Sequence, residues 1–335
     1  MIHRTTPTWQ IPEWQAALRD GFTQVDELID YLELDRRRLP STKMAAREFG
    51  LKIPRAFAAL IEKGNPDDPI LRQILPLDEE LSPYQGFSRD PVGDLATEVV
   101  PGVLHKYHGR ALFIATGACG INCRYCFRRH YPFSDSSANH SQWEQALEYL
   151  QRNREINEVI LSGGDPLTLS DQRLTKLLDL LEKIPHLQRL RIHSRLPVIL
   201  PQRLTPELVT QLDDSRFHST LVLHINHAAE ISNPLIRGLA LVRTNRTTLL
   251  NQSVLLRGVN DSTGELIKLS EKLFEAGVLP YYLHLLDRVE GAAHFEVDET
   301  HAIELHKALR LRLPGYLVPR LVRETAGEKS KSPVR

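Results

Sequence analysis

The strongest constraint on the fold is an alternation that begins near residue 110. Six short apolar runs, at 111–116, 158–162, 190–193, 220–225, 249–256 and 281–285, each precede a segment with an apolar face at three- and four-residue spacing. Those segments are 143–150, 172–182, 206–212, 235–242, 265–275 and 299–312. Strands that alternate with helices pair in parallel, because each crossover helix must pack back onto the sheet. Six such units predict either an open doubly wound sheet or an incomplete (β/α) barrel. Both gather their chemistry at the carboxyl ends of the strands. The residues just after the runs fit that rule. They are Cys119 to Cys126, Gly163-Gly164-Asp165-Pro166, Ser194-Arg195, Asn226-His227, Arg257 to Asn260, and Asp287-Arg288. One coherent polar face is expected from them.

Upstream, the spacing predicts helices over 14–18, 25–34 and 51–62, with Pro54 in the first turn of the third. Residues 66–101 are rich in Pro and Asp and read as connecting structure. The 42 basic and 42 acidic residues cancel, which argues against gripping nucleic acid or an anionic membrane through bulk charge. No apolar run reaches the roughly 18 residues that span a bilayer. The N-terminal stretch lacks the apolar core of a signal peptide. A cytoplasmic protein with no membrane or nucleic-acid partner is expected.

All three cysteines, Cys119, Cys123 and Cys126, fall within eight residues, after the first expected strand. An odd number so closely packed is no disulfide framework. Three thiolates on a [4Fe–4S] cluster would leave one iron without a protein ligand, free to chelate a small molecule. Spacing alone keeps a rival open, since His130 lies four residues on and Cys3His is a zinc ligand set. Buried thiols are the plain alternative.

C-x3-C-x2-C in this position resembles the radical S-adenosylmethionine (SAM) superfamily. The next loop, Ser162-Gly163-Gly164-Asp165-Pro166, is similar to the superfamily's glycine-rich motif for the methionyl amino group of SAM. Taken alone, the same residues also make an ordinary strand-end turn.

From about residue 90 onward the chain resembles the lysine 2,3-aminomutase family. The matching segments include His105 to Thr116, Cys119 to His130, His224-Ile-Asn-His227, and Asp287 before Gly291-Ala-Ala-His294-Phe295. Gly315 to Glu324, followed by Gly327-Glu-Lys-Ser-Lys331, is similar to a short bacterial branch linked to beta-lysylation of elongation factor P. The resemblance implies an α/β fold: a partial (β/α)6 radical SAM barrel with a helical N-terminal region and a short C-terminal tail that binds pyridoxal phosphate (PLP). The corresponding divisions are 1–100, 101–318 and 319–335.

The implied activity is that of an isomerase, an intramolecular aminotransferase that converts L-lysine to β-lysine with a [4Fe–4S] cluster, SAM and PLP. The product would pass to a ligase that modifies elongation factor P, and a homo-oligomer is compatible with this. Cys119, Cys123 and Cys126 would hold the cluster, and Gly163, Gly164 and Asp165 would contact SAM. Lys331 would carry PLP, with Lys329 as its competitor, although a lysine in a polar tail is ordinarily a solvated end. Arg110 would bind the PLP phosphate, and Lys106 stands where longer relatives have Arg. Arg128 would fork onto the substrate carboxylate. Asp287 and Glu324 would read the substrate's distal ammonium, with Glu324 one methylene longer than the family's Asp. Two acids there disfavour a substrate with a side-chain carboxylate. The alternatives are a radical SAM aminomutase for another amino acid such as arginine, and a zinc-stabilised scaffold or binding protein.

Overall fold

The computed structural model describes residues 13–133, 140–243 and 246–335. The reading of the first dozen residues as lacking a leader core lies outside them. Ten described strands form one sheet in strict sequence order: β1 (Glu98–Val100), β2 (Val103–Tyr107), β3 (Arg110–Thr116), β4 (Glu158–Gly163), β5 (Arg189–Ser194), β6 (His218–His224), β7 (Thr247–Val254), β8 (Leu279–His284), β9 (Arg320–Arg323) and β10 (Ser332–Pro333). Neighbours from β3 to β9 are parallel. A doubly wound sheet must reverse its strand order at a switch point. Here the order never reverses and β1 does not pair with β10, so the sheet curls into a partial barrel.

The six expected strands correspond to β3 to β8. Four strands were not foreseen. An antiparallel pair, β1 and β2, extends one edge, and β9 with antiparallel β10 extends the other. Each is short, or too polar to stand out as an apolar run.

The crossover helices start where a short polar side chain can accept an orphan amide N–H. Ser170, Thr205, Ser232, Ser262 and Asp298 cap the helices Asp171–Glu182, Pro206–Asp214, Asn233–Val242, Thr263–Glu275 and Glu299–Arg312. Their apolar faces pack against the outside of the sheet. Inside, alternate residues face the lumen, as the two-residue period of a strand requires. On β7, Leu250, Gln252 and Val254 line the cavity, while Asn251 and Ser253 bond to the Ile225 carbonyl on the other side.

The expected helix over 51–62 is corrected. Only Arg55–Ala58 is helical, and Pro54 precedes it in an extended conformation. Ile53 instead exchanges backbone hydrogen bonds with Phe22, which draws the preceding residues into a bridge. The helix expected over 25–34 ends at Tyr31, and Glu33 turns the chain with φ of 55°. The N-terminal helices share one continuous core with the first half of the barrel, from Trp14 and Phe57 through Phe113 to Leu221.

Candidate active site

A cavity of about 730 Å³ runs through the open barrel, from the cysteine loop to the C-terminal tail. Closed barrels fill this space with side chains; ligand sites occupy roughly 300–1,000 Å³. Cys119, Cys123 and Cys126 line one end.

The cysteine loop is anchored by the N-terminal region. Lys52 donates to the Cys119 carbonyl at 2.6 Å, and Asn122 donates to the carbonyls of Lys52 and Gly50. Arg124, wholly buried, forks onto Glu80 at 2.8 and 2.6 Å, and Arg129 reaches the same carboxylate at 2.8 Å. Sequence reasoning gave these anchors no role, because their partners Lys52, Gly50 and Glu80 lie far away in the chain.

Burial, followed by repulsion from Cys123, pushes the Cys126 thiol up to about 11. Burial, with Cys126, Asp165 and Cys123 adding, raises Cys119 well above the usual thiol range. Thiols packed this closely ionise together only against concentrated positive charge, which is the chemistry of a metal–sulfur centre. Among the described residues, no three His, Cys, Asp or Glu side chains converge on a point where one ion could sit. A tetrahedral zinc needs that convergence. His130 instead lies with Nε2 3.2 Å from the Glu290 carbonyl.

The glycine loop clasps the segment leading to Cys119. Gly164 and Asp165 donate their N–H groups to the carbonyls of Thr116 and Ala118, both at 2.8 Å. Gly163 has φ of 110°, where side chains are strained. A Cβ on Gly164 would lie 2.4 Å from the Ala118 carbonyl oxygen. The Asp165 carboxylate is buried and taken up by protein donors. It accepts from Ser194 Oγ and from the backbone N–H groups of Leu167, Arg195 and Leu196, so it ties the second strand's loop to the third's.

Arg195 had been noted only as a polar residue after a strand. It is buried, donates to Cys123 Sγ at 2.8 Å, and pairs with Glu230 at 2.9 Å. The expected polar face is only partly realised. The first, second, third and sixth loops reach the cavity. Asn226 is buried in hydrogen bonds to Gln73 and the backbone, His227 pairs with Glu265, and Arg257 is exposed. His224 does line the cavity, and burial, then Arg195, holds its imidazole down at about 3.

At the other pole, four chain segments meet in an alternating series of charges. Arg128 Nε donates to Asp94 at 2.7 Å, and Arg128 also reaches Ser162 Oγ at 3.2 Å. Asp94 pairs with Lys106 at 2.5 Å, Lys106 with Glu324 at 3.1 Å, and Glu324 with Lys331 at 2.7 Å. Lys106 lies on β2 and Glu324 just after β9, so this series bridges the open side of the barrel. Burial alone would raise Glu324, but Lys331 and Lys106 hold it at about 2. Asp287 lines the same space. Burial, then Glu324, pushes it up to about 7 against the pull of Lys331.

Lys331 lines the cavity beside Ser330, with its Nζ 5.8 Å from the centre of the Tyr282 ring, whereas Lys329 is exposed. Arg110 sits at the amino end of β3, lining the cavity with its guanidinium over the Tyr107 ring at 4.7 Å. Arg191 and Arg320 also line that end, although Arg191 is already paired with Glu158. A lysine that can be reached from the cavity, with guanidinium groups nearby, fits an aldehyde that carries a phosphate.

Residues 113–278 match the Radical SAM superfamily. The chain is 49% identical to an L-lysine 2,3-aminomutase of Escherichia coli, over 96% of this chain and 94% of that one. It is 46% identical to an L-lysine 2,3-aminomutase of Haemophilus influenzae, over 95% and 94%. A longer L-lysine 2,3-aminomutase, from Clostridium subterminale, is 35% identical over 96% of this chain and 77% of its own. The chain therefore belongs to the lysine 2,3-aminomutase family of the radical SAM superfamily, as an isomerase that works with a [4Fe–4S] cluster and SAM.

Proposed function

We propose that this enzyme converts L-lysine to β-lysine with PLP on Lys331, and that the product supplies beta-lysylation of elongation factor P by a partner ligase. The observation that carries the reading is a cavity with one opposite charge at each end of an amino acid. Arg128 offers its end-on guanidinium edge to a carboxylate, because its Nε is already given to Asp94. Asp287 and Glu324 offer negative charge to a distal ammonium. The same two acids repel a substrate that ends in a carboxylate.

Cys119, Cys123 and Cys126 would hold the cluster as thiolates, three protein ligands for four irons. The backbone of Gly163 and Gly164 lies beside them. When bound, the reduced cluster with SAM supplies a 5′-deoxyadenosyl radical, and PLP supplies the carbonyl that holds the substrate's α-amino group. Lys331, now paired with Glu324, would be the amine that holds PLP. Arg110 holds the phosphate. Arg128 and the two acids then fix both ends of lysine, so that its β-carbon is presented to the radical while the barrel wall excludes water.

The short relatives are matched over 94% of their length and a longer one over 77%. This supports placing the chain in the short branch linked to elongation factor P.

An anaerobic assay of reconstituted protein with L-lysine, reductant, and SAM and PLP added singly and together tests the reading. β-Lysine should form only with both. Product from L-arginine instead would move the assignment to another aminomutase, and stoichiometric zinc without iron would remove the radical chemistry. Borohydride trapping should label Lys331, and a label on Lys329 would correct the residue. Adding ligase and elongation factor P should give a modified factor with this enzyme present and none when the enzyme lacks its cluster.

A further inference from the structure

We infer that Lys106 is a positioning residue that fixes the distance between the two ends of the substrate site and so sets the substrate length the enzyme accepts. The inference rests on the lysine reading given under Proposed function. An ammonium has three N–H donors and no acceptor. Around Lys106 Nζ stand three acceptors: the Val92 carbonyl at 2.9 Å, Glu324 Oε1 at 3.1 Å and Asp94 Oδ1 at 2.5 Å. Two hydrogen bonds and a close ion pair therefore turn the ammonium toward protein acceptors. The group is nearly enclosed, with 13% side-chain exposure against 3% for Asp94 and 16% for Glu324.

Its two carboxylate partners do different jobs. Asp94 orients Arg128, which meets the substrate carboxylate. Glu324 meets the substrate ammonium. Among the described residues, Lys106 is the side chain that contacts both carboxylates, reaching from β2 to the segment after β9. Without its charge, Asp94 and Glu324 face each other as like charges in a poorly hydrated space, and the gap between the poles widens. Lysine and ornithine differ by one methylene, which a fixed site discriminates by about 10- to 200-fold. A site whose two ends can drift cannot keep that ratio.

The test compares wild type, Lys106→Met and Lys106→Arg as PLP-loaded, cluster-bearing enzymes. Two quantities are read: kcat and KM for L-lysine and L-ornithine, and the affinity of each amino acid from the change in PLP absorbance without SAM. Lys106→Met should lower the lysine-to-ornithine preference by about tenfold or more, chiefly through a higher KM and weaker binding of lysine. Lys106→Arg, which can still reach both carboxylates, should restore most of it. If Lys106→Met fails to load PLP, Lys106→Gln is read in the same way. A preference within about twofold of wild type, or an equal loss of kcat on both substrates with binding unchanged, overturns the inference. Wild type that neither binds nor converts lysine would instead overturn the functional reading.

Discussion

Replacing Glu80 with Gln should loosen the cysteine loop before it disturbs the rest of the barrel. Glu80 is 5% exposed and Arg124 0%, so neither guanidinium that shares this carboxylate has water to fall back on. Removing one partner of a buried ion pair costs about 3–5 kcal/mol, because the other charge stays buried and unpaired. Unfolding entropy near 2.1 cal/mol/K per residue gives about 0.7 kcal/mol/K for 335 residues. The expected fall in Tm is therefore about 4–7 °C. Arg124 lies between Cys123 and Cys126, so iron and sulfide per chain after reconstitution should fall as well. The assay is anaerobic thermal denaturation alongside iron and sulfide analysis. If the reasoning is right, replacing Glu80, Arg124 and Arg129 together with apolar residues of similar volume should recover part of the lost stability, since well-packed apolar groups often match a buried ionic cluster. A Glu80→Gln protein that melts within about 1 °C of wild type and holds a full cluster would refute the argument.

Three further outcomes follow from the same geometry. Gly164→Ala would place a methyl 2.4 Å from one backbone atom and 2.7 Å from another, so the clasp on the cysteine loop must open. SAM affinity by equilibrium dialysis should drop about tenfold, with about 1–3 kcal/mol of stability lost to overpacking, and wild-type affinity would count against the clasp. In the cofactor-free protein, the Asp287 carboxyl is raised to about 7, so it favours the folded state when protonated and opposes it increasingly as pH rises from about 4 to 7. Asp287→Asn should then be more stable than wild type at pH 8, by about 1–4 kcal/mol in denaturant titrations, and not at pH 4; equal stability at pH 8 would contradict the assignment. Arg195→Met removes a cationic N–H donor from Cys123 Sγ and should shift the cluster's reduction potential to a more negative value in a spectroscopically monitored titration. An unchanged potential would mean that the contact does not tune the cluster.

What was legible in the sequence followed period and punctuation. Strands β3 to β8 showed as apolar runs because both faces of a parallel sheet are covered. The cysteine loop and the Gly163-Gly164 turn were visible because their chemistry needs a fixed spacing along the chain. The third N-terminal helix was misread because residues 51–62 have helical spacing, while Ile53 is claimed by a backbone bridge to Phe22 some thirty residues earlier. Spacing carries no record of such a distant partner. For the same reason Glu80, Asp94 and the role of Lys106 were not legible. Each is a single charged residue in ordinary surroundings, and its meaning comes from segments brought together only by the closed fold.

The zero net charge takes on a different meaning once the charges are placed. Charged side chains of both signs, among them Arg128, Asp94, Lys106, Glu324, Lys331, Asp287 and Arg110, line one cavity, in a barrel that its strands do not close. Where β1 and β10 fail to pair, the Lys106–Glu324 contact reaches across from β2, while Lys331 pairs with Glu324 on the β9 side. A backbone ladder there would leave little lumen, whereas side chains of opposite sign can hold the gap and also serve as ligands. The arrangement has a consequence for Lys331. Its segment is fixed by the two residues of β10, by the Val334 N–H donated to Leu321, and by the ion pair to Glu324. So few attachments would allow the tail to shift if, as proposed, Lys331 exchanges Glu324 for the carbonyl of PLP, without disturbing the helix-backed strands behind it. A lysine on β6 or β7, held by ladders on both sides, could not move in that way.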